Sequence, residues 1–299
     1  MAVLLVLPLF ALAASARAAD DALSARARDV LHQIVVRDHT WDRIHAAEVL
    51  DAYGEGASMR KFFLNEGKRA ESSVQRIGIW RVLAATSPTA AERAVWIGKI
   101  EHVSLDPADP DRLRALESLG KLRHVITGRS LQATRKFAGE APPNDSLLPL
   151  WVMQLAGDPS ALGRIADALA FKDPIARQRA AYALRWLRPQ DPAVLAKLAR
   201  AADSEPPGTV AYPFLVSAAL SLQADPERAP VWQSQLERLA VGSSPDACFE
   251  ASQALMPYCT AAVLPLMAGF LQDPENNARV GAAWTILYAQ AHGILSSNP

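Results

Sequence analysis

At 299 residues, half of them hydrophobic, the chain holds enough apolar material for one large core or two ordinary ones. Lys plus Arg and Asp plus Glu both number 31, so the formal net charge is zero, and the cationic excess that drives nucleic-acid binding is missing. Two cysteines are too few for a disulfide framework, and the 21 prolines argue against long uninterrupted helices while suiting an array of short ones.

The first element is residues 1–19, MAVLLVLPLFALAASARAA. An apolar run from Ala2 to Ala14 ends in small residues, with the A-x-A pattern at Ala16-Arg17-Ala18. That is the layout of a secretory signal, although no Lys or Arg precedes the run; the competing reading is an N-terminal core helix. The run falls short of the roughly 20 residues that span a bilayer. The expectation is a signal peptide over 1–19 and a mature chain over 20–299 that is periplasmic or secreted, with no membrane insertion after signal removal.

Along the mature chain six octets align without gaps: RIHAAEVL (43–50), RIGIWRVL (76–83), RLRALESL (112–119), RQRAAYAL (177–184), CFEASQAL (248–255) and RVGAAWTI (279–286). Successive leading arginines are 33, 36, 65 and 102 residues apart, close to one, one, two and three periods of about 34, a spacing typical of helical repeats. Weaker copies at 148–155 and 213–220 fill the gaps. Each octet has the one-sided apolar spacing of a packed helix. Another apolar-periodic stretch precedes each, so the repeating unit is two helices and about eight units fit.

Asp-Pro occurs seven times, at Asp106, Asp109, Asp158, Asp173, Asp191, Asp225 and Asp273. Asp caps a helix N-terminus by accepting a backbone N–H, and Pro at the next position gives up a donor that has no intrahelical partner. No alternating β-branched run bounded by hairpin turns appears, and 139–146 (GEAPPNDS) reads as a loop between helices. Cys248 and Cys259 read as two lone buried thiols.

The segments 173–187 (DPIARQRAAYALRWL) and 273–287 (DPENNARVGAAWTIL) resemble the turn and second helix of HEAT repeats, nearest to the short, phycobilisome-lyase type. The shared features are Asp-Pro, an Arg four to six residues on, a pair of small residues and then aliphatics. The resemblance implies an all-α, right-handed α-α superhelix, a HEAT-like or armadillo-type solenoid whose second helices line one concave face. It also implies a scaffold that binds a protein partner or a polar or carbohydrate ligand; fold-level likeness names no ligand.

Two positions of the octet stand out. The first holds Arg43, Arg76, Arg112, Arg177 and Arg279; in such repeats this Arg pairs with an Asp of its own or the neighbouring turn, and Asp38, Asp109, Asp173 and Asp273 are available. The sixth holds Glu48, Arg81 and Glu117, then Tyr182 and Gln253. Stacked repeats would set Arg81 between two carboxylates, a pairing that suits a guanidinium. Trp41, His45 and Trp80 lie beside this column, so Trp41, His45, Glu48, Arg76, Trp80, Arg81, Arg112 and Glu117 form the candidate ligand-binding set; the competing reading is an internal salt-bridge ladder. The sequence holds no metal-ligand spacing, no nucleophile elbow and no phosphate-binding loop, so no cofactor, no metal and no catalytic residue is expected. The enzymatic alternative is carbohydrate chemistry at His45, Glu48, Arg81 and Glu117.

Overall fold

The computed structural model describes residues 7–242, 244–260 and 263–294, and only the backbone of 7–20, 241, 242 and 245. The expected signal segment, 1–19, therefore lies outside the described residues apart from its helical backbone from residue 7; the polar tail beyond 294 lies outside them too. The described chain is all-α, with no strand. Its helices are α1 (Leu7–Arg37), α2 (Asp42–Leu50), α3 (Gly56–Gly67), α4 (Arg76–Ala85), α5 (Ala90–Leu105), α6 (Arg112–Lys121), α7 (Gly128–Glu140) and α8 (Leu147–Leu155). There follow α9 (Ala161–Asp167), α10 (Pro174–Leu187), α11 (Pro192–Ser204), α12 (Tyr212–Ser221), α13 (Ala229–Gly242), α14 (Pro245–Leu255), α15 (Leu264–Phe270) and α16 (Asn276–Ala291). Among the described residues no helix is long and apolar enough to cross a membrane.

The six octets fall on α2, α4, α6, α10, α14 and α16, and the two weaker copies on α8 and α12. All seven Asp of the Asp-Pro pairs accept the backbone N–H two residues on. Asp106 takes it from Ala108, Asp109 from Asp111, Asp158 from Ser160, Asp173 from Ile175, Asp191 from Ala193, Asp225 from Glu227 and Asp273 from Glu275, all at 2.8–3.0 Å. Only Asp173 and Asp191 directly precede a helix and cap it. The other five shape the turn one step earlier, because an Asx turn and a helix cap use the same local bond.

The chain forms two compact units. One is Glu55–Leu239; the other joins Met1–Gly54 to Ala240–Pro299. In the continuous unit α4, α6, α8, α10 and α12 pack side by side in sequence order, with α5 against both α4 and α6, and α11 against both α9 and α12. The row helices are buried on most sides. Leu147 through Met153 of α8 are all buried, as is α12 from Tyr212 to Leu220 except Phe214. The flanking α7 buries only Thr134 and Ala138. Each large apolar side chain fully withdrawn from water stabilises by about 1.5–3 kcal/mol, so the row carries most of the core energy. α6 and α8 approach closely at Gly120: a Cβ there would stand 2.6 Å from the Trp151 indole. Trp151 packs there only because position 120 has no side chain.

In the discontinuous unit the last helix meets the first two. α16 packs against α14 and α15 from its own end of the chain, and against α1 and α2 from the other. Ala27, Leu31, Ile34 and Val35 of α1, Ile44 and Leu50 of α2, and Val280, Ala283 and Ile286 of α16 are buried in this unit. An uncovered terminal repeat would expose one of these faces; here the two ends of the chain contribute to one core. Cys248 and Cys259 are not joined in a disulfide, and both are half-buried rather than buried as expected. The octet places Cys248 at the rim of α14, and Cys259 follows the turn that ends it.

Candidate functional site

The sixth octet position brings three side chains together in the continuous unit. Arg81 on α4, Glu117 on α6 and Tyr182 on α10 belong to three helices of the row, with Trp151 of the intervening α8 beside Tyr182. The Tyr182 hydroxyl donates to Glu117 Oε1 at 2.9 Å. Lys121, one turn on from Glu117, reaches the same oxygen at 2.9 Å. Arg81, only 4% exposed, donates through Nη1 to Ser118 Oγ at 3.0 Å, and its charge acts on Glu117.

Burial alone would raise the Glu117 carboxyl. The Lys121 and Arg81 charges, with hydrogen bonds from Lys121 and Tyr182, outweigh it and hold the group at about 2. Burial, and then the Glu117 charge, push the Tyr182 phenol above its ordinary value, so it stays a proton donor. Around this polar centre lies an aromatic wall. Tyr182 meets Trp151 edge-on at 5.9 Å and Phe214 at 6.1 Å, and Trp186 stacks on Trp151 at 6.1 Å. Lys121 Nζ stands 5.6 Å from the Tyr182 ring and 5.8 Å from that of Trp186, and Arg185 lies 5.7 Å from the Tyr182 ring, all within cation–π range. The Glu117 side chain retains 27% of its exposure and Lys121 13%. Tyr182, Arg185 and Trp186 are half-buried.

Chemically the arrangement can hold charge and offer cations and aromatic edges. It is poorly suited to general acid work, because a carboxyl held near 2 has no proton to give at neutral pH. Among the described residues no three His, Cys, Asp or Glu side chains gather as a metal ion requires.

The other sequence candidates take different places. Trp80 is buried and donates its indole N–H to the Gly67 carbonyl at 3.0 Å. Arg76 behaves as the ladder expects: it binds Asp109 at 2.7 Å and Asp111 at 3.0 Å, both in the turn before α6. Arg112 does not pair with an Asp. It donates to the Ser104 carbonyl at 3.0 Å and lies 3.6 Å over the Phe137 ring, with the Asp106 and Glu140 charges acting from further off. Arg177 pairs with Glu205 of the turn before α12, at 2.6 Å, and not with Asp173, whose oxygen is engaged with the Ile175 N–H. Arg279 donates to Asn276 at 3.0 Å.

Trp41, His45 and Glu48 belong to the discontinuous unit. Trp41 is half-buried at the start of α2. His45 stacks on Phe249 at 5.0 Å and contacts Asn277 at 3.5 Å. Glu48 acts on Asp51, whose carboxyl is raised first by burial and then by that neighbouring charge. The eight candidates are thus divided between two units, and the cluster that forms is Arg81 and Glu117 with Tyr182. Lys121, Arg185 and Trp186 escaped the sequence reading. Lys121 and Trp186 lie four residues beyond the sixth octet position, where a helix brings side chains together, and that spacing is the signal that could have found them. Compared with known protein families, curated proteins and solved structures, the chain matches none.

Proposed function

We propose that the chain is a non-catalytic interaction scaffold of the HEAT-like solenoid type, exported to the periplasm or beyond, that binds a protein or polar ligand along its row of second helices. The observation that carries this reading is the half-buried stripe of Glu117, Lys121, Tyr182, Arg185 and Trp186, charged and aromatic side chains interleaved on α6 and α10 with the buried Leu116, Leu119, Ala181 and Leu184. Tyr, Trp and Arg dominate binding hot spots because they offer large, stiff contact areas with a polar tip. The octets lying on helices that pack in sequence order support the solenoid reading, since repeats of this kind bury one another's flanks. Export is supported by the signal-like residues 1–19.

The binding half is tested by placing a photo-crosslinking amino acid at position 185 and, as a comparison, at Lys136 of α7, which is exposed. Irradiation of intact cells should give a discrete adduct from position 185 that Lys136 does not give. Identical patterns from both positions reject the stripe as the contact surface. The export half is tested by the N-terminus of the chain recovered from the envelope: a chain beginning near Asp20 is expected, and one confined to the cytoplasm with residues 1–19 intact overturns it.

A further inference from the structure

We propose that the C-terminal ends of α6 and α10 form a cation–aromatic seat for an acidic peptide segment, in which Arg123, Arg185 and Arg188 take carboxylates on either side of an apolar residue that covers Trp186. The inference rests on the scaffold reading above and names the chemistry of its partner.

The two helix ends meet, although α8 packs between them in the row. Lys121 Nζ, in the last turn of α6, stands 5.8 Å from the Trp186 ring of α10. Arg123 Nη1 donates to the Trp186 carbonyl at 3.4 Å. Arg185 lies 5.7 Å from the Tyr182 ring, and Arg188 closes α10. All of these residues belong to the continuous unit. Trp186 is half-buried, and Arg123 and Arg188 are exposed. Along the end of α10 the order is cation, indole, cation.

The backbone supplies a second, independent observation. α6 and α8 finish in the same way. Arg123 N–H reaches the Gly120 carbonyl and His124 N–H that of Leu119, both at 2.9 Å; Gly157 N–H reaches Gln154 and Asp158 N–H reaches Met153, both at 3.0 Å. This closure needs a left-handed residue, and glycine is the one that takes it without strain. α8 uses Gly157, at φ 82°; α6 uses Arg123, at φ 51°, and α10 ends on Arg188, at φ 54°. An L side chain is strained there. The pull of a helix C-terminus on an exposed cation is screened by salt and offsets little of it. α8 shows that a row helix closes with glycine, so the fold alone does not call for an arginine at either place. Strain of this kind gathers where a ligand is held.

The ligand follows from the groups offered. A guanidinium pairs with a carboxylate through two parallel bonds, and Trp beside Arg is the composition of binding hot spots. An unbroken polyanion fits poorly. Against burial, the Lys121 and Arg81 charges keep Glu117 ionised beside the seat, and it repels a continuous row of phosphates or uronates. A peptide can set its carboxylates apart and lay an apolar side chain between them.

Fluorescence anisotropy of the full chain with a short labelled peptide, pairs of Glu alternating with Phe, should show saturable binding. The same peptide with Gln for Glu, and a labelled oligodeoxythymidylate of equal length, should each bind about tenfold more weakly or worse. Arg123→Gly combined with Arg188→Gly should lower the affinity for the Glu peptide by about tenfold or more, with a thermal midpoint at or above that of the wild type, because the strain is relieved. Unchanged affinity in that variant, equal binding of the Gln peptide, or tighter binding of the oligonucleotide overturns the proposal. Should the double variant fail to fold, the comparison of Glu and Gln peptides on the wild-type chain decides. A Glu peptide that is not bound, while position 185 still yields its adduct in cells, rejects the acidic partner and leaves the scaffold reading standing; a bound peptide without an adduct does the reverse.

Discussion

The two compact units balance charge in different ways. In the continuous unit carboxylates meet cations: Arg76 with Asp109 and Asp111, Arg177 with Glu205, Lys121 and Arg81 with Glu117. The resulting carboxyls of Glu117 and Glu205 lie below their ordinary value, so this unit loses stabilisation as pH falls. In the discontinuous unit the carboxyls of Asp42 and Asp51 are raised, by burial first and then by neighbouring acid charges, while Asp38, which Thr40 and Asn276 hydrogen-bond, lies below its ordinary value. Carboxyls that meet a cation or several donors thus lie low, and those buried beside other acids lie high.

The comparison is broken most severely by removing the aromatic support of the paired unit. Trp151→Ala should cost about 3–5 kcal/mol, the usual loss for a buried Trp, because the Gly120 notch cannot close around a methyl group. Denaturant unfolding checks it. Gly120→Ala should cost less, about 1–3 kcal/mol by overpacking against the same indole. If the continuous unit's stability resides in its row, both variants should unfold it while leaving exchange protection at the α2–α16 seam unchanged.

Next comes the Arg177–Glu205 pair. The Glu205 side chain is only 4% exposed, and Thr209 donates to its Oε1. Arg177→Ala would strand a buried carboxylate and should cost about 3 kcal/mol. Adding Glu205→Gln should recover part of the loss, since a neutral amide tolerates that site. No recovery in a double-variant melting series would show that Arg177 acts through the Phe171 and Lys172 carbonyls it also binds, and that the pairing contrast between the units is weaker than drawn.

The acid limb gives an effect of like size. Glu117→Gln should destabilise at pH 7 by roughly 3 kcal/mol, the linkage value of a shift from 4.5 to about 2. The difference should shrink as pH falls below 4.5 and vanish near 2, where the wild-type carboxyl is also protonated. A difference independent of pH would assign the loss to packing against Tyr182 and not to charge.

These contrasts were only partly legible in the sequence. The octets and the Asp-Pro turns are local patterns, and both reappear as helices and Asx turns at the expected residues, because a 3.6-residue apolar period and a two-residue hydrogen bond need no knowledge of the rest of the chain. Arg76 with Asp109 was readable for the same reason, at one repeat's distance. Glu205 was missed because it stands before Pro206 as Glu-Pro, outside the Asp-Pro set, although it occupies the same place before α12. The meeting of Asp38 with Asn276 joins residues at opposite ends of the chain, and no periodicity states which ends touch. Trp80 stands in the candidate ligand-binding set, yet it is buried and its N–H finds the Gly67 carbonyl, a partner a neighbouring helix supplies and a linear pattern cannot announce. The site at Glu117 was half visible: the column position was, the Lys121 and Trp186 one turn further along were not.

The smallest prediction separates two uses of one dipeptide. Asp191 both shapes its turn and caps α11, accepting the Ala193 N–H at 2.8 Å. Asp225 makes the same bond, to Glu227, but α13 begins only at Ala229. Asp191→Ala leaves a helix-terminal donor unsatisfied and should cost about 1 kcal/mol. Asp225→Ala frays a solvated turn and should stay within about 0.5 kcal/mol. Asp191 is exposed and Asp225 half-buried, and both sit in the continuous unit, so unit identity is held constant. Equal losses in thermal melting would mean that the bond matters as a turn and that the helix gains nothing from it; a larger loss at Asp191 ties its Asp-Pro to the start of α11, a role it shares with Asp173 alone of the seven pairs.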